Sequence, residues 1–194
     1  MRNRGPVLVY GEAGSGKTNL ALYIAALNSS SAKKILYVNT EGWSIKARII
    51  DLSKYWDLGN IDFVDIISFR QQTLFVLRRL PRIIDRYNTV IIDTINNLYR
   101  VEEDIDAATR SLSTQMAMLY SFATDYLKNV FVLGQVKAED EGEEVSGSTY
   151  IKYWSTIIMR LERGKPRRIV VEKPERMELF FEINERGIRW VEAH

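Results

Sequence analysis

The sequence has 194 residues, of which 46% are hydrophobic and 27% charged, and its formal net charge is +2. This length and composition predict one globular domain over residues 1–194 and exclude a disordered or fibrous chain. The absence of cysteine excludes disulfide bonds and thiolate metal sites. No apolar stretch is long enough to span a membrane and no N-terminal signal region is present, so we expect a soluble cytoplasmic protein without a membrane partner.

The hydrophobic pattern of residues 1–150 predicts short strands that alternate with helices. The predicted strands are residues 6–10, 35–38, 63–67, 89–92 and 130–133. The predicted helices are residues 17–27, with Leu20, Ile24 and Leu27 on one face, then 45–54, 71–86 with an interruption near Pro81, and 106–127. The strand at 89–92 is apolar throughout, as in strands that are covered on both faces. This alternation predicts an α/β fold with a mainly parallel central sheet and helices on both faces.

The pattern changes after residue 150. Residues 156–161, 167–171 and 178–183 have the composition of strands, and short turns such as Arg163-Gly164-Lys165-Pro166 separate them. We expect C-terminal antiparallel strands that extend the parallel sheet.

Residues 11–18 lie between the first predicted strand and the first predicted helix, and they fit the phosphate-loop pattern G-x-x-x-x-G-K-[ST]. Glycines let the backbone curl so that N–H groups point at an anion, and the positive end of the helix adds to the same place. The sequence therefore predicts a P-loop NTPase. The predicted nucleotide-binding residues are Gly11, Glu12, Ala13, Gly14, Ser15, Gly16, Lys17, Thr18 and Asn19.

Three side chains are predicted to act on the phosphates and on a metal ion. Lys17 is expected to reach the β and γ phosphates, and the Thr18 hydroxyl to bind Mg²⁺. Asp93 ends the buried strand at 89–92 and is expected to be the second metal ligand, the alternative being a cap for the following turn. ATP and Mg²⁺ are the predicted ligands.

Glu41 follows the strand at 35–38, at the carboxyl edge where such sheets bind ligands. A carboxylate in this place can orient and activate the water that attacks the γ-phosphate. The alternative is an ordinary loop acid before Gly42.

Four segments resemble those of the RecA-like recombinases, in the same order along the chain. Residues 37–42 (YVNTEG) resemble the Y-x-D-T-E-G segment, whose glutamate activates water, with Asn39 in place of the aspartate. Residues 90–100 (VIIDTINNLYR) resemble the metal-binding strand and its turn. Residues 133–136 (LGQV) are similar to T-N-Q-V, whose glutamine senses the γ-phosphate. Residues 181–188 (FEINERGI) resemble the closing F-R-I-T-E-K-G-I.

By this resemblance Glu41 is the water-activating residue, and Gln135 is the sensor that passes the state of the γ-phosphate to a DNA-binding loop. The segments cover nearly the whole chain and are most similar to those of archaeal RadA/RadB-type recombinase paralogues. The resemblance implies a RecA-like ATPase core, a weak Mg²⁺-dependent ATPase, and a role in modulating the main recombinase during homologous recombination and DNA repair. The implied partners are a RadA-type recombinase or other recombination proteins. Only five residues precede the first predicted strand, so the N-terminal helical domain of full-length recombinases is expected to be absent.

By the resemblance, the family's two DNA-binding loops would lie after Asp93 and after Gln135, where this chain has the acidic segments 101–106 and 137–144. Carboxylates oppose contact with a phosphate backbone, so single-stranded DNA stays open as a partner but is unfavourable through these segments. They are either solvated surface or contacts for a basic surface on a partner protein. Two basic clusters, Arg78/Arg82/Arg86 at four-residue spacing and Lys165/Arg167/Arg168 in one turn, either contact nucleic acid or are solvated.

Two other functions suit the same core. A KaiC-like signalling ATPase would place two adjacent glutamates after the second strand, whereas this chain has Thr40-Glu41-Gly42, which favours the recombinase side. The other alternative is a non-hydrolysing interaction module that ATP binding stabilises.

Overall fold

The computed structural model describes residues 5–30, 32–136 and 148–192. These ranges contain, in chain order, β1 (Val7–Gly11), α1 (Lys17–Asn28), β2 (Ile35–Asn39), α2 (Ser44–Ser53), β3 (Ile61–Asp65), α3 (Phe69–Leu74), a π-helical turn (Phe75–Arg79), α4 (Leu80–Ile83), a 3₁₀ turn (Ile84–Arg86), β4 (Thr89–Asp93), a second 3₁₀ turn (Leu98–Val101), α5 (Ile105–Thr124), β5 (Asn129–Gln135), α6 (Ser148–Trp154), β6 (Ile157–Glu162), β7 (Arg167–Lys173), β8 (Met177–Asn184) and β9 (Gly187–Val191). The strands form one sheet in the order β3-β2-β4-β5-β1-β6-β7-β8-β9.

The sheet is parallel from β3 to β6 and antiparallel from β6 to β9. The predicted α/β fold, with a mainly parallel sheet and C-terminal antiparallel strands, is therefore confirmed. One detail differs, because β6 pairs in parallel with β1 and the antiparallel extension begins only at β7.

Helices cover both faces of the sheet, as predicted. One apolar cluster lies on the side of α1 and α2, and the other lies beneath α3, α4 and α5. All five residues of β4 are buried, which confirms that this strand is covered on both faces. Within the described ranges, no helix has both the length and the hydropathy that a membrane span needs.

The buried face of α1 differs from the predicted one. Leu20 is buried, but Leu27 is 52% exposed, and the buried stripe runs through Ala21 and Ala25 instead. Small side chains on this stripe let the helix approach the sheet closely, which places its first turn beside β1.

The interruption predicted near Pro81 is the π-helical turn at Phe75–Arg79. Proline lacks an N–H and cannot donate to the carbonyl four residues before it, so the helix changes its hydrogen-bond spacing just before this residue. Val76, Leu80 and Ile84 nevertheless form one fully buried stripe across the irregular segment.

Several predicted boundaries were wrong. The third strand begins at Ile61, which pairs with Ile35, and ends before Ile67, whose side chain is 83% exposed. The long helix ends at Thr124 because Leu127 has a positive φ of 56°, which turns the chain into β5. Neither α6 nor β9 was predicted, since both are short and neither has a distinct apolar pattern.

Candidate nucleotide-binding site

The loop between β1 and α1 curls around a point at the N-terminus of the helix. Gly14 and Gly16 have φ values of 77° and 106°, in the region that favours glycine. A Cβ on Gly16 would also lie 3.0 Å from Ile183 Cδ1, so the Ile183 side chain would have to shift to accept it. Because α1 begins at Lys17, its first unpaired N–H groups face the curl. The strand, loop and helix expected of a phosphate loop are all present.

The Lys17 side chain lies back along the loop. Its Nζ donates to the backbone oxygens of Gly11 at 2.9 Å and of Glu12 at 2.8 Å. Burial lowers the pKa of Lys17, and the carboxylates of Glu41 and Asp93 oppose that shift. Among the described residues, the buried ammonium group therefore has only neutral carbonyl oxygens as its hydrogen-bond acceptors. An anion that entered the loop could replace them.

Asp93 is 1% exposed and lies at the end of β4. Its Oδ2 accepts a 2.6 Å hydrogen bond from the Tyr37 hydroxyl, whereas Oδ1 has no partner of standard geometry among the described residues. Burial raises the pKa of the Asp93 carboxyl, and hydrogen bonding to Tyr37 and Thr18 lowers it. A buried, unpartnered carboxylate oxygen beside a hydroxyl is a donor set that fits a hard divalent cation.

Glu41 lies in a turn that Asn39 braces with three hydrogen bonds. Asn39 Oδ1 accepts from the backbone N–H of Glu41 at 3.1 Å. Asn39 Nδ2 donates to the backbone oxygen of Gly42 at 2.8 Å and to Asp65 Oδ1 at 2.7 Å. The position of Glu41 therefore depends on a contact between the ends of β2 and β3.

The charges around Glu41 show that it belongs to the same site as the loop. Burial raises the pKa of the Glu41 carboxyl, as does the neighbouring Asp93, while Lys17 and Arg100 oppose the shift. Glu41 is therefore within electrostatic reach of both residues that were predicted to act on the phosphates and the metal.

A second brace joins the Glu41 turn to the end of β4. The backbone N–H of Thr40 donates to Asp93 O at 2.7 Å, and the Thr40 hydroxyl exchanges hydrogen bonds with the backbone of Thr94 at 2.8 and 2.9 Å. Asn97 Nδ2 donates to Thr40 O at 2.8 Å. Sequence reasoning missed Thr40 and Asn97 as positioning residues, although Thr40 directly follows β2 and Asn97 lies in the turn four residues after β4.

Gln135 is the last residue of β5, and its Cα pairs with Gly11 in the sheet. Asn96 holds its backbone through two hydrogen bonds of 3.0 Å, and the Arg100 guanidinium donates to the same carbonyl at 2.5 Å. The structure thus brings Gln135 to the first residue of the phosphate loop. It also brings Arg100 close enough to affect Lys17 and Glu41, a neighbour that no pattern in the sequence had indicated.

The turn between β6 and β7 packs against the outside of the loop. Arg163 donates to Ala13 O and pairs with Glu12 at 3.7 Å. Arg168, in the basic cluster predicted for this turn, pairs with Glu162 at 2.5 Å and with Glu178 at 3.2 Å. These pairs neutralise part of that cluster.

An open groove of about 450 Å³ lies between the C-terminal part of α2 and the turn after β8. Arg48 and Tyr55 line one side and Ile183 the other, and Arg48 Nη2 donates to Asn184 O at 2.7 Å. Because Ile183 also faces Gly16, the groove begins beside the phosphate loop.

Of the two acidic segments, residues 101–106 have a partly structural role, because Asp104 Oδ1 accepts from Ala107 N at 2.9 Å and caps α5. Residues 137–144 lie outside the described residues, so the prediction for the second segment has no structural counterpart here.

Comparison with known proteins agrees with this site. The profile of a family described as "AAA domain" matches residues 5–134. The DNA repair and recombination protein RadB of Methanocaldococcus jannaschii is 30% identical over 95% of this chain and 92% of that protein. RadB of Methanococcus maripaludis strain C7 is 32% identical over 85% of this chain and 80% of that protein. RadB of Thermococcus sibiricus is 29% identical over 95% of this chain and 86% of that protein.

The matched domain and the phosphate loop together identify a nucleotide-binding protein. The relatives match along nearly the whole chain, so the similarity is not confined to the loop that many nucleotide-binding proteins share. The resemblance predicted from the four short segments is therefore confirmed, and the chain belongs to the RadB family of RecA-like recombinase paralogues.

Proposed function

We propose that this protein is an ATP-binding recombinase paralogue with a weak Mg²⁺-dependent ATPase, and that it modulates a RadA-type recombinase in homologous recombination and DNA repair. The observation that supports it best is the convergence of Lys17, Glu41 and Asp93 at one phosphate loop: Lys17 Nζ donates to Gly11 O of the loop at 2.9 Å, and the backbone N–H of Thr40, next to Glu41, donates to Asp93 O at 2.7 Å. It acts in the cytoplasm as a single domain over residues 1–194, and other recombination proteins are its further partners.

In the proposed complex, the N–H groups of residues 11–19 and the Lys17 ammonium hold the triphosphate. Lys17 exchanges its bonds to the Gly11 and Glu12 carbonyls for bonds to the β and γ phosphates, which compensate a buried charge better than neutral carbonyls do. The groove that begins at Gly16 takes the nucleoside, with Arg48 on one wall.

Thr18 and Asp93 are the residues that would hold Mg²⁺. The buried Asp93 Oδ1 and the neighbouring Thr18 hydroxyl support this assignment. The alternative role, a cap for the following turn, is not supported, because the Asp93 carboxylate accepts no hydrogen bond from a backbone N–H of the described residues. When bound, Mg²⁺ neutralises negative charge on the phosphate oxygens.

For hydrolysis, Glu41 accepts the proton of the water that attacks the γ-phosphorus, and ADP and phosphate are the products. The positive charges of Lys17 and Arg100 support this role, because they favour the ionised carboxylate that a base requires. Gln135 senses the γ-phosphate from the neighbouring strand end. Turnover is slow in the isolated protein, since comparable sites gain roughly 10³–10⁵-fold from an arginine that a partner supplies.

The test measures nucleotide binding and ATP turnover by the purified protein, with and without single-stranded DNA and a RadA-type recombinase. We expect slow turnover that requires Mg²⁺ and that the recombinase stimulates. Lys17→Ala should weaken ATP binding and turnover on the order of 10²-fold, because it removes a charged donor from a buried phosphate site. Lys33→Ala, at an exposed position at the opposite edge of the sheet, is the control and should behave as wild type. Wild-type ATP binding by Lys17→Ala would contradict the proposed site.

A further inference from the structure

The helical segment from α3 to the first 3₁₀ turn carries five arginines, Arg70, Arg78, Arg79, Arg82 and Arg86, which we call the arginine surface. All five are exposed. Between Phe69 and Arg86 the only acidic residue is Asp85. The nucleotide site does not use this surface, and its charge is large for a chain whose net charge is only +2.

Three of these arginines form a row. Arg78, Arg82 and Arg86 each follow a member of the buried stripe Val76, Leu80 and Ile84 by two residues, and each arginine is exposed whereas the stripe residue before it is fully buried. The row therefore lies on the solvent side of this segment. It extends over about 12 Å at the helical rise of about 1.5 Å per residue.

The arginine surface lacks counter-charges. None of its five members forms an ion pair with another described residue, whereas Arg160, Arg168 and Arg189 on the C-terminal strands all do. Asp62, Arg79 and Arg86 are all close enough to influence the pKa of Tyr87, whose hydroxyl donates to Asp62 at 2.8 Å, but Asp62 forms no ion pair with either arginine. An array of like charges without partners attracts a polyanion.

We propose that the arginine surface binds the phosphate backbone of duplex DNA. Arginine forks suit phosphate oxygens, and uncompensated cations along a helix release counterions when they meet a phosphate backbone. Binding to a single strand relies on exposed aromatic rings for stacking, but Phe69 and Phe75 on these helices are each only 5% exposed. That the polyanion is DNA rests on the proposed function in recombination.

This assignment also explains how a chain with an acidic segment after β4 can approach DNA. Residues 102–106 lie at the carboxyl edge of the sheet, around the start of α5, whereas the row Arg78, Arg82 and Arg86 leads to the start of β4 at the opposite edge. DNA contact on that side avoids the repulsion that the acidic segment would cause.

The experiment measures binding of the full chain to a short fluorescent duplex over a range of salt concentrations. The variant Arg78→Gln/Arg82→Gln/Arg86→Gln is compared with Lys33→Gln/Lys34→Gln/Arg176→Gln, which removes the same charge from exposed positions elsewhere. We expect the first variant to bind at least tenfold more weakly at low salt. Its slope of log affinity against log salt should fall by about 2.7, from about 0.9 per lost phosphate contact. The slope of the second variant should differ from that of the wild type by no more than about 0.9, which corresponds to one phosphate contact.

An equal loss in both variants would overturn the proposal, because net charge alone would then explain binding. Absence of duplex binding by the wild type, or tighter binding of a single strand of the same sequence, would overturn it as well. ATP binding is measured on every preparation, so that misfolding of a variant is detected. A wild type that binds the duplex but neither binds nor hydrolyses ATP would contradict the proposed function while leaving this inference intact.

Discussion

The nucleotide site and the arginine surface both attract anions, but they treat their polar groups in opposite ways. At the site, Lys17 donates to two carbonyls and Asn39 makes three hydrogen bonds, so most side chains are fixed before a ligand arrives. On the arginine surface, Arg78, Arg82 and Arg86 are exposed and have no ion-pair partner within the described ranges.

The difference reflects the ligands. A terminal phosphate is small and must be held within a fraction of an ångström for in-line attack, so its site needs fixed donors. A DNA backbone is long and uniform, and flexible exposed cations suffice to hold it. Changes in the two regions should therefore be separable, since those at the site alter turnover and those on the arginine surface alter DNA binding.

The largest effect that would sharpen this contrast is expected from Glu41→Gln. Because the amide cannot accept the proton of the attacking water, ATP turnover should fall by roughly 10²–10⁴-fold. ATP affinity should change only a few-fold, since Glu41 is not assigned to the phosphates. Duplex binding in the absence of nucleotide should be unchanged.

Glu12→Gln is the matched control for Glu41→Gln. Glu12 is also a loop acid of the site, but it pairs with the exposed Arg163 at 3.7 Å, an interaction that contributes little. Its turnover should stay within about threefold of wild type. If both variants turned over ATP at the wild-type rate, Glu41 would not be the base.

The sequence predicted those parts of the site that depend on local pattern. The phosphate loop is continuous in sequence, and Glu41, Asp93 and Gln135 each stand at or just after the end of a predicted strand, so parallel pairing alone brings them to one edge. The braces were not predictable, because their partners are distant in sequence. Asn39 and Asp65 are 26 residues apart, and Arg100 and Gln135 are 35 apart.

The same limit applies to the fold. Strands and helices with a continuous pattern were predicted, and so was an interruption near Pro81, but the π-helical form of that interruption and the edge strand β9 were not. Both depend on tertiary packing: the turn keeps Val76, Leu80 and Ile84 on one buried stripe, and β9 is held by its pairing with β8.

A smaller effect is expected from Asn39→Asp, which introduces the aspartate that the resembling segment carries. In this chain Asn39 Nδ2 donates to Asp65 at 2.7 Å, so the new carboxylate would face another carboxylate and lose its bond to Gly42. We expect unfolding free energy to fall by about 1–3 kcal/mol. Turnover should fall about tenfold, because the Glu41 turn loses its brace. Denaturant unfolding and steady-state assays measure the two effects.

The double variant Asn39→Asp/Asp65→Asn tests the cause. It exchanges donor and acceptor, so the hydrogen bond between positions 39 and 65 can form again and most of the stability should return. A coupling free energy near zero between the two substitutions would show that the contact does not brace the turn.

The smallest effect, and the one with the opposite sign, is expected from Arg82→Gln. Arg82 lies in α4 between Arg78 of the π-helical turn and Arg86 of the 3₁₀ turn, and like charges about one turn apart destabilise a helix by about 0.2–0.5 kcal/mol per pair, whereas Asp85, three residues away, offsets about one such pair. Glutamine has nearly the same helix propensity, so the substitution should stabilise the protein by about 0.2–0.5 kcal/mol at low salt. The gain should vanish as salt screens the charges. Arg176→Gln, which has no basic residue four positions away, should change nothing. A loss of stability in Arg82→Gln would mean that this arginine has a partner within the chain, and the contrast between the two anion-binding regions would not hold.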